Sequence, residues 1–310
     1  MTDQLSPAPT AQVEFQRELV AAGLLFETGV PGVFGHGATF ELLRHLLAAR
    51  IRAETAALGA EHMHFPPVLP RQLVERSGYL DSFPQLAGVV FAFDGGEPEA
   101  AEQHNLAAAG QDWSKHQRMT DLMLVPAACY PAYPVIAARG PLAAGGAFLD
   151  LGGSWVFRHE PSADPARRQI FHQHEIVRIG APNVVEAWRQ EWADRGLALV
   201  HALGLEATVE DANDPFFGHG GRMLAASQRE QHLKLELLVP IAGEQPTAVA
   251  SFNLHREHFA EAAGIKFADG SPVHTSCTGF GQERIVLALL RAHGLDPSTW
   301  PSAVRGELRL

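Results

Sequence analysis

The apolar positions change period several times along the chain, and each change marks an element. Between Thr39 and Gly59, Leu43, Leu47 and Ile51 recur at four-residue spacing, which predicts an amphipathic helix capped by Thr39. A second helix is predicted from Asn183 to Gly204. There Val185, Trp188, Trp192, Leu199 and Leu203 suit one face, Asn183 and Glu186 have capping-box spacing, and Gly204 supplies the stop. A shorter helix begins at Phe15 and ends near Gly23, before a structural turn region with Gly29, Pro31, Gly32, Gly35 and Gly37.

Elsewhere the period is two. Leu233 to Leu237 puts Lys234 and Glu236 on one face and the leucines on the other, and Val249, Ser251 and Asn253 alternate in the same way with Ala248, Ala250 and Phe252. Both read as half-buried strands. His62 to Pro70 reads as a strand closed by prolines. Phe157 to Glu175 reads as two strands around a loop of breakers, Pro161, Asp164 and Pro165. Residues 94–118 are polar and lack a period, which predicts a connector without chemistry of its own. The first 14 residues predict a disordered tail, and residues 15–310 one domain of the α+β class, an antiparallel sheet flanked by helices.

Composition narrows the class. The 310 residues are 46% apolar and 19% charged, enough for one large core. No run of eighteen apolar residues and no basic-then-apolar leader is present, so the expectation is a cytoplasmic protein without a membrane partner. Two cysteines, Cys129 and Cys277, argue for reduced, buried thiols rather than a disulfide framework. A net charge of -11 offers no electrostatic footprint for RNA and disfavours a tRNA partner.

The candidate chemistry lies in the breaker-rich hairpin and near the C-terminus. Arg158 and Arg168 can clamp phosphate oxygens, Glu160 can accept from an exocyclic amine, and Phe171 offers a face to a flat base. Gly279-Phe-Gly281-Gln-Glu283-Arg284, followed by the apolar run from Ile285 to Leu290, places a guanidinium and the positive end of a helix dipole on one phosphate. Together these read as a nucleotide site.

The same residues carry a resemblance. The run Phe157-Arg158-His159-Glu160, its loop, then Arg167 and Phe171 resembles motif 2 of the class II aminoacyl-tRNA synthetases, and Gly279 to Arg284 resembles motif 3. The helix after Thr39 with its proline-closed strand resembles motif 1, the element on which those enzymes dimerise. Ser77-Gly-Tyr-Leu80-Asp-Ser-Phe83 matches a turn of the seryl branch. Where that branch grips the substrate amine with Thr-x-Glu, this chain has Ala127 and Cys129. The pattern is similar to the zinc-containing methanogen-type seryl enzymes and, more closely, to the stand-alone amino acid:[carrier protein] ligases.

The resemblance implies a class II fold, a homodimer, and catalysis by Arg158 and Arg284. It implies that ATP, with Mg2+, is held by Arg158, Glu160, Arg167, Arg168, Phe171, Lys234, Val249, Ala250, Ser251, Phe252 and Arg284. Cys129, Glu175 and Cys277 would hold Zn2+, leaving a fourth position for the amine of a small amino acid, glycine or alanine. The expected activity is adenylation of that amino acid and transfer to the phosphopantetheine thiol of a holo carrier protein. A truncated zinc-dependent synthetase acting on tRNA and a non-catalytic paralogue stand as alternatives. The short span before the motif 1 helix lacks a tRNA-binding arm, and the motif arginines are retained.

Overall fold

A computed structural model describes residues 10–243 and 245–310. The chain opens with helix α1 (Ala11–Ala21), a short hairpin β1 (Leu25–Glu27) and β2 (Phe34–His36), then the long helix α2 (Ala38–Ala57). Strands β3 (Glu61–His62) and β4 (Val68–Pro70) precede the short helices α3 (Arg71–Arg76) and α4 (Tyr79–Ser82). Next come β5 (Val89–Phe93), α5 (Glu97–Ala108), β6 (Gln117–Leu124) and α6 (Ala132–Ala137). The hairpin β7 (Ala147–Phe157) and β8 (Ile170–Gly180) leads into α7 (Pro182–Ala202), β9 (Thr208–Asp211) and α8 (Gly218–Glu230). The C-terminal third carries β10 (Lys234–Val239), β11 (Thr247–Arg256), α9 (His258–Ala263), β12 (His274–Gly281), α10 (Gln282–His293) and α11 (Ser302–Leu308).

Seven strands form the central sheet in the order β3-β7-β8-β12-β11-β10-β9, antiparallel except for the β3–β7 pair. One face is covered by α2, α7 and α10, whose Leu43, Leu47, Ile51, Trp192, Ile285 and Leu289 share a core with Ile176, Phe252 and Phe280 from the strands. A second core on the opposite face joins Leu149, Leu151 and Val177 to α6, α9 and the small sheet β4-β6-β5. The fold is therefore α+β, with an antiparallel sheet between helices, as the two periodicities predict.

Boundaries differ from the sequence expectations at four places. Residues 10–14 are ordered: Thr10 accepts from the Val13 N–H and caps α1, which buries Phe15 and Leu19. The remainder of the expected tail, residues 1–9, lies outside the described residues. The expected connector 94–118 contains helix α5, which buries no residue; a helix without a buried face leaves no amphipathic period in the sequence. Helix α2 starts one residue before Thr39, on Gly37. A Cβ on Gly37 would lie 1.9 Å from the Gly23 carbonyl oxygen, so the close approach of the preceding turn fixes glycine there. Helix α7 is capped by Ala181 with Pro182 in its first turn, not by Asn183; proline loses nothing at a position whose N–H has no helical acceptor.

Candidate active site

Strand register brings the chemistry to one face of the sheet. Glu236 on β10 pairs with Ser251, Ser251 with Gly279, and Gly279 with Glu175 on β8. One step along, Lys234 pairs with Asn253 and Asn253 with Cys277. Because alternate residues share a face, Phe171, Gln173 and Glu175 of β8 point into the same space. They line a cleft of about 430 Å³ together with Arg158, Glu160, Lys234, Ser251, Asn253, Cys277 and Arg284. That volume suits a nucleotide-sized or smaller ligand.

At one end of the cleft the ligand atoms of Cys129, Glu175 and Cys277 lie within 4.8 Å of one another, all three buried. Among the described residues this is the one such group. The loop that carries Cys129 is held by two side chains of β8. Glu175 Oε2 accepts the Cys129 N–H at 2.7 Å, and Gln173 Oε1 accepts the Ala128 N–H at 3.1 Å. Burial pushes the Cys129 thiol and the Glu175 carboxyl up. The Cys277 thiol is raised well above its ordinary value by its hydrogen bond with Cys129 and by burial. Two soft sulphurs and a carboxylate whose ionised forms are disfavoured by burial fit a divalent cation, which would stabilise those ionised forms. Asn253 Nδ2 donates to the Cys277 Sγ at 3.5 Å, and His255 Nε2 lies 3.5 Å from the same sulphur.

Two guanidinium groups also line the cleft. The Arg158 Nε donates to the Pro126 carbonyl at 3.3 Å, and its guanidinium lies 5.8 Å from the Phe171 ring centre. Arg284 donates through Nε to Ala166 O and through Nη1 to Ala248 O, both at 2.8 Å. Desolvation and the neighbouring Arg158 hold its pKa below the usual guanidinium value. Two cations that crowd each other in a cleft favour a polyanionic ligand. On the cleft's side wall, Lys234 donates to Asp214 at 2.7 Å and pairs with Glu236 at 2.9 Å. Burial alone would lower the Lys234 pKa, and these two carboxylates raise it instead.

Comparison with known proteins decides the family. No protein-family model matches the chain. Over 306 residues it is 44% identical to amino acid–[acyl-carrier-protein] ligase 1 of Bradyrhizobium diazoefficiens, covering 98% of this chain and 93% of the relative. The chain belongs to the amino acid–[acyl-carrier-protein] ligase family. Ligase 2 of the same organism is also 44% identical, over 292 residues that cover 94% of this chain and 87% of the relative. Among solved structures, M. kandleri SerRS in complex with A. aeolicus tRNASec superposes with a TM-score of 0.80 at 24% identity, over 99% of this chain and 62% of that one. That likeness gives this family member the class II aminoacyl-tRNA synthetase fold.

Within this ligase-family cleft the expected residues separate into two sets. Arg158, Glu160, Phe171, Lys234, Val249, Ala250, Ser251 and Arg284 line the cleft, and Cys129, Glu175 and Cys277 meet at its end. Arg167 is exposed outside the lining, although its charge reaches Arg284. Two of the expected residues lie away from the cleft. Arg168 is buried on the helical side of the sheet between Phe34 and Phe40, and Phe252 is buried in the helical core. Neither side chain lines the cleft. His172 and His174 also face the helical side, where they contact Glu283 and Asp150.

Sequence reasoning missed Asp214 and His255. His255 extends the alternation of Ser251 and Asn253 by two residues, a signal that was available. Desolvation and the nearby His258 push its imidazole down to about 3, so it is neutral in the cleft. Asp214 sits in a Pro- and Asn-containing loop that reads only as a turn. The partnership with Lys234 and Gln228 exists in three dimensions alone.

Proposed function

We propose that this ligase activates a small amino acid, glycine or alanine, with ATP and passes it to the phosphopantetheine thiol of a holo carrier protein. The observation that carries the reading is the shared cleft: the Cys129–Glu175–Cys277 group and the Arg158–Arg284 pair open into one space. The ligase names of relatives at 44% identity support the carrier protein as acceptor.

The first step joins an amino-acid carboxylate oxygen to the α-phosphorus of ATP and releases pyrophosphate with Mg2+. Arg158 neutralises the α-phosphate, with Phe171 and Glu160 on the adenine. Arg284 faces the departing phosphates, with Arg167 at the rim. Fixed cations in a confined cleft stabilise charge that develops during transfer without reorganising solvent. In the second step the thiol sulphur attacks the acyl carbon, AMP leaves, and the thiol proton passes to solvent.

Cys129, Glu175 and Cys277 would hold Zn2+, which supplies a Lewis-acid position for the free α-amine. Coordination replaces the ion pair that a carboxylate would make, and Gln173 and Glu175 keep the loop bearing Cys129 in register for it. The catalytic unit is read as beginning with α1 and running to residue 310, a cytoplasmic homodimer formed on the motif 1-like helix α2. Among the described residues no helix is long and apolar enough to cross a membrane. The net charge of -11 supports a protein rather than a tRNA acceptor.

The test is amino-acid-dependent ATP–pyrophosphate exchange, followed by incubation with apo and holo carrier protein. Exchange with glycine or alanine, and labelling of the holo form alone through a hydroxylamine-labile bond, is the expected result. Charging of tRNA without labelling of a carrier protein would replace this reading by the synthetase alternative.

A further inference from the structure

On the helical side of the sheet, behind the cleft, an unbroken chain of polar side chains runs from the β7–β8 loop to α10. Arg168 Nη1 donates to His36 Nε2 at 2.7 Å. Since Nε2 accepts, the ring proton sits on Nδ1, which donates to Glu41 Oε2 at 2.9 Å. Glu41 also accepts from Arg44 Nε at 3.0 Å, and Arg44 Nη1 donates to Gln282 Oε1 at 2.9 Å. Arg168 is 3% exposed and Arg44 5%, and Gln282 is fully buried.

Both ends of this chain converge on Arg284. Arg168 Nε donates to the Pro165 carbonyl at 3.0 Å, and its guanidinium is wedged 5.3 Å and 5.2 Å from the Phe34 and Phe40 ring centres. The next carbonyl, that of Ala166, is the one that accepts the Arg284 Nε at 2.8 Å. At the far end, Gln282 opens α10, the helix whose first turn carries Arg284. The loop that aims the guanidinium and the helix that bears it are thus tied to one another through β2 and α2. Buried apolar residues of similar volume would pack this space at no electrostatic cost, so a charged chain here is better explained by the unique geometry it imposes.

We propose that Arg168, His36, Glu41 and Arg44 are positioning residues for Arg284, holding its free N–H donors toward the cleft. The proposal rests on the reading that Arg284 meets the phosphates of ATP. None of the four lines the cleft; they act only through the Ala166 carbonyl and the start of α10.

The test uses the full chain with His36→Leu, His36→Gln and Arg44→Met. Glutamine can keep an acceptor for Arg168 and a donor for Glu41, whereas leucine keeps neither. Two readouts are taken: backbone hydrogen exchange without substrate, and kcat and KM in ATP–pyrophosphate exchange. The expected result is faster exchange in residues 164–168 and 281–285, with residues 183–202 unchanged. With it goes a fall in kcat of about tenfold at nearly constant amino-acid KM for the leucine and methionine variants, with most activity retained by glutamine. Combined with Arg284→Ala, Arg44→Met should add less than about a twofold loss, since both act at one guanidinium. Unchanged exchange in the two segments, a fully additive loss, or equal damage from leucine and glutamine would overturn the proposal. If the unaltered protein exchanges pyrophosphate with no amino acid, the ligase reading fails, and the hydrogen-exchange result alone decides whether the chain holds these segments.

Discussion

The carboxylate of Glu175 accepts the backbone N–H of Cys129 at 2.7 Å across 46 residues of sequence. One side chain therefore shapes the loop that presents the first sulphur and also places a carboxylate oxygen within coordinating reach of a cation held by both sulphurs. The two duties can be separated. Glu175→Gln keeps an acceptor for the N–H but offers a neutral amide to a metal, so the loop should stay and the metal should weaken. We expect metal affinity to fall by at least about tenfold, measured by chelator competition, with the circular dichroism spectrum unchanged. Glu175→Ala should lose both metal and loop order. Equal metal affinity in the glutamine variant would exclude Glu175 as a ligand.

Metal binding should strengthen as pH rises. The Cys129 and Cys277 thiols have values raised above the ordinary thiol range in the metal-free protein, so each thiol proton must leave before its sulphur can coordinate. Lower pH favours the protonated, metal-free state, and higher pH the bound one. Titrating Co2+ into chelated protein from about pH 6 to about pH 8.5 should show a steepening thiolate-to-metal absorption and net proton release. An affinity independent of pH would mean that the cation is held elsewhere.

Arg158 lines the cleft beside Phe171, and its replacement separates binding from chemistry. Arg158→Met should lower kcat for ATP–pyrophosphate exchange by about 100-fold or more, the scale at which one preorganised charge partner acts in a confined site. The amino-acid KM should move little, because the amine is assigned to the Cys129–Glu175–Cys277 group and not to Arg158. A large rise in amino-acid KM with kcat unchanged would place Arg158 on the amino acid instead.

How much of this was legible follows from what each element buries. Lys234 and Glu236 alternate with core leucines, and the repeat of α2 faces one core, so period and face were readable. Helix α5 buries nothing and left no period. The Cys129–Glu175–Cys277 group was invisible to spacing, since its members come from a loop and two strands that only the register of β8 and β12 aligns. It became readable through family resemblance. Arg168 shows the limit of that route: two adjacent arginines look equivalent in sequence. Its turn against Pro165 and the Phe34–Phe40 wedge sends one inward, while Arg167 stays exposed.

The opposite face of β8 makes a prediction about stability that is independent of catalysis. Asp150 is 1% exposed and accepts from the Gly152 N–H at 2.9 Å and from the Thr55 hydroxyl, with His174 Nε2 at 3.2 Å. Burial alone would raise this carboxyl. The hydrogen bond and charge of His174, with Thr55 and Gly152, outweigh it and hold the value below the ordinary carboxylate range. A depressed folded value means that the ionised group adds stability above the unfolded value of about 3.9, and that this share disappears as pH falls through it toward the folded value. Asp150→Asn should therefore cost about 2 kcal/mol near neutral pH, since the Thr55 hydroxyl, the Gly152 N–H and the His174 ring lose the charged acceptor they share. The cost should shrink as urea unfolding is repeated from about pH 5 down to about pH 3, because the unaltered protein is then losing the same contribution. A cost that stays constant over that range would show that Asp150 acts through its shape and hydrogen bonds and not through its charge.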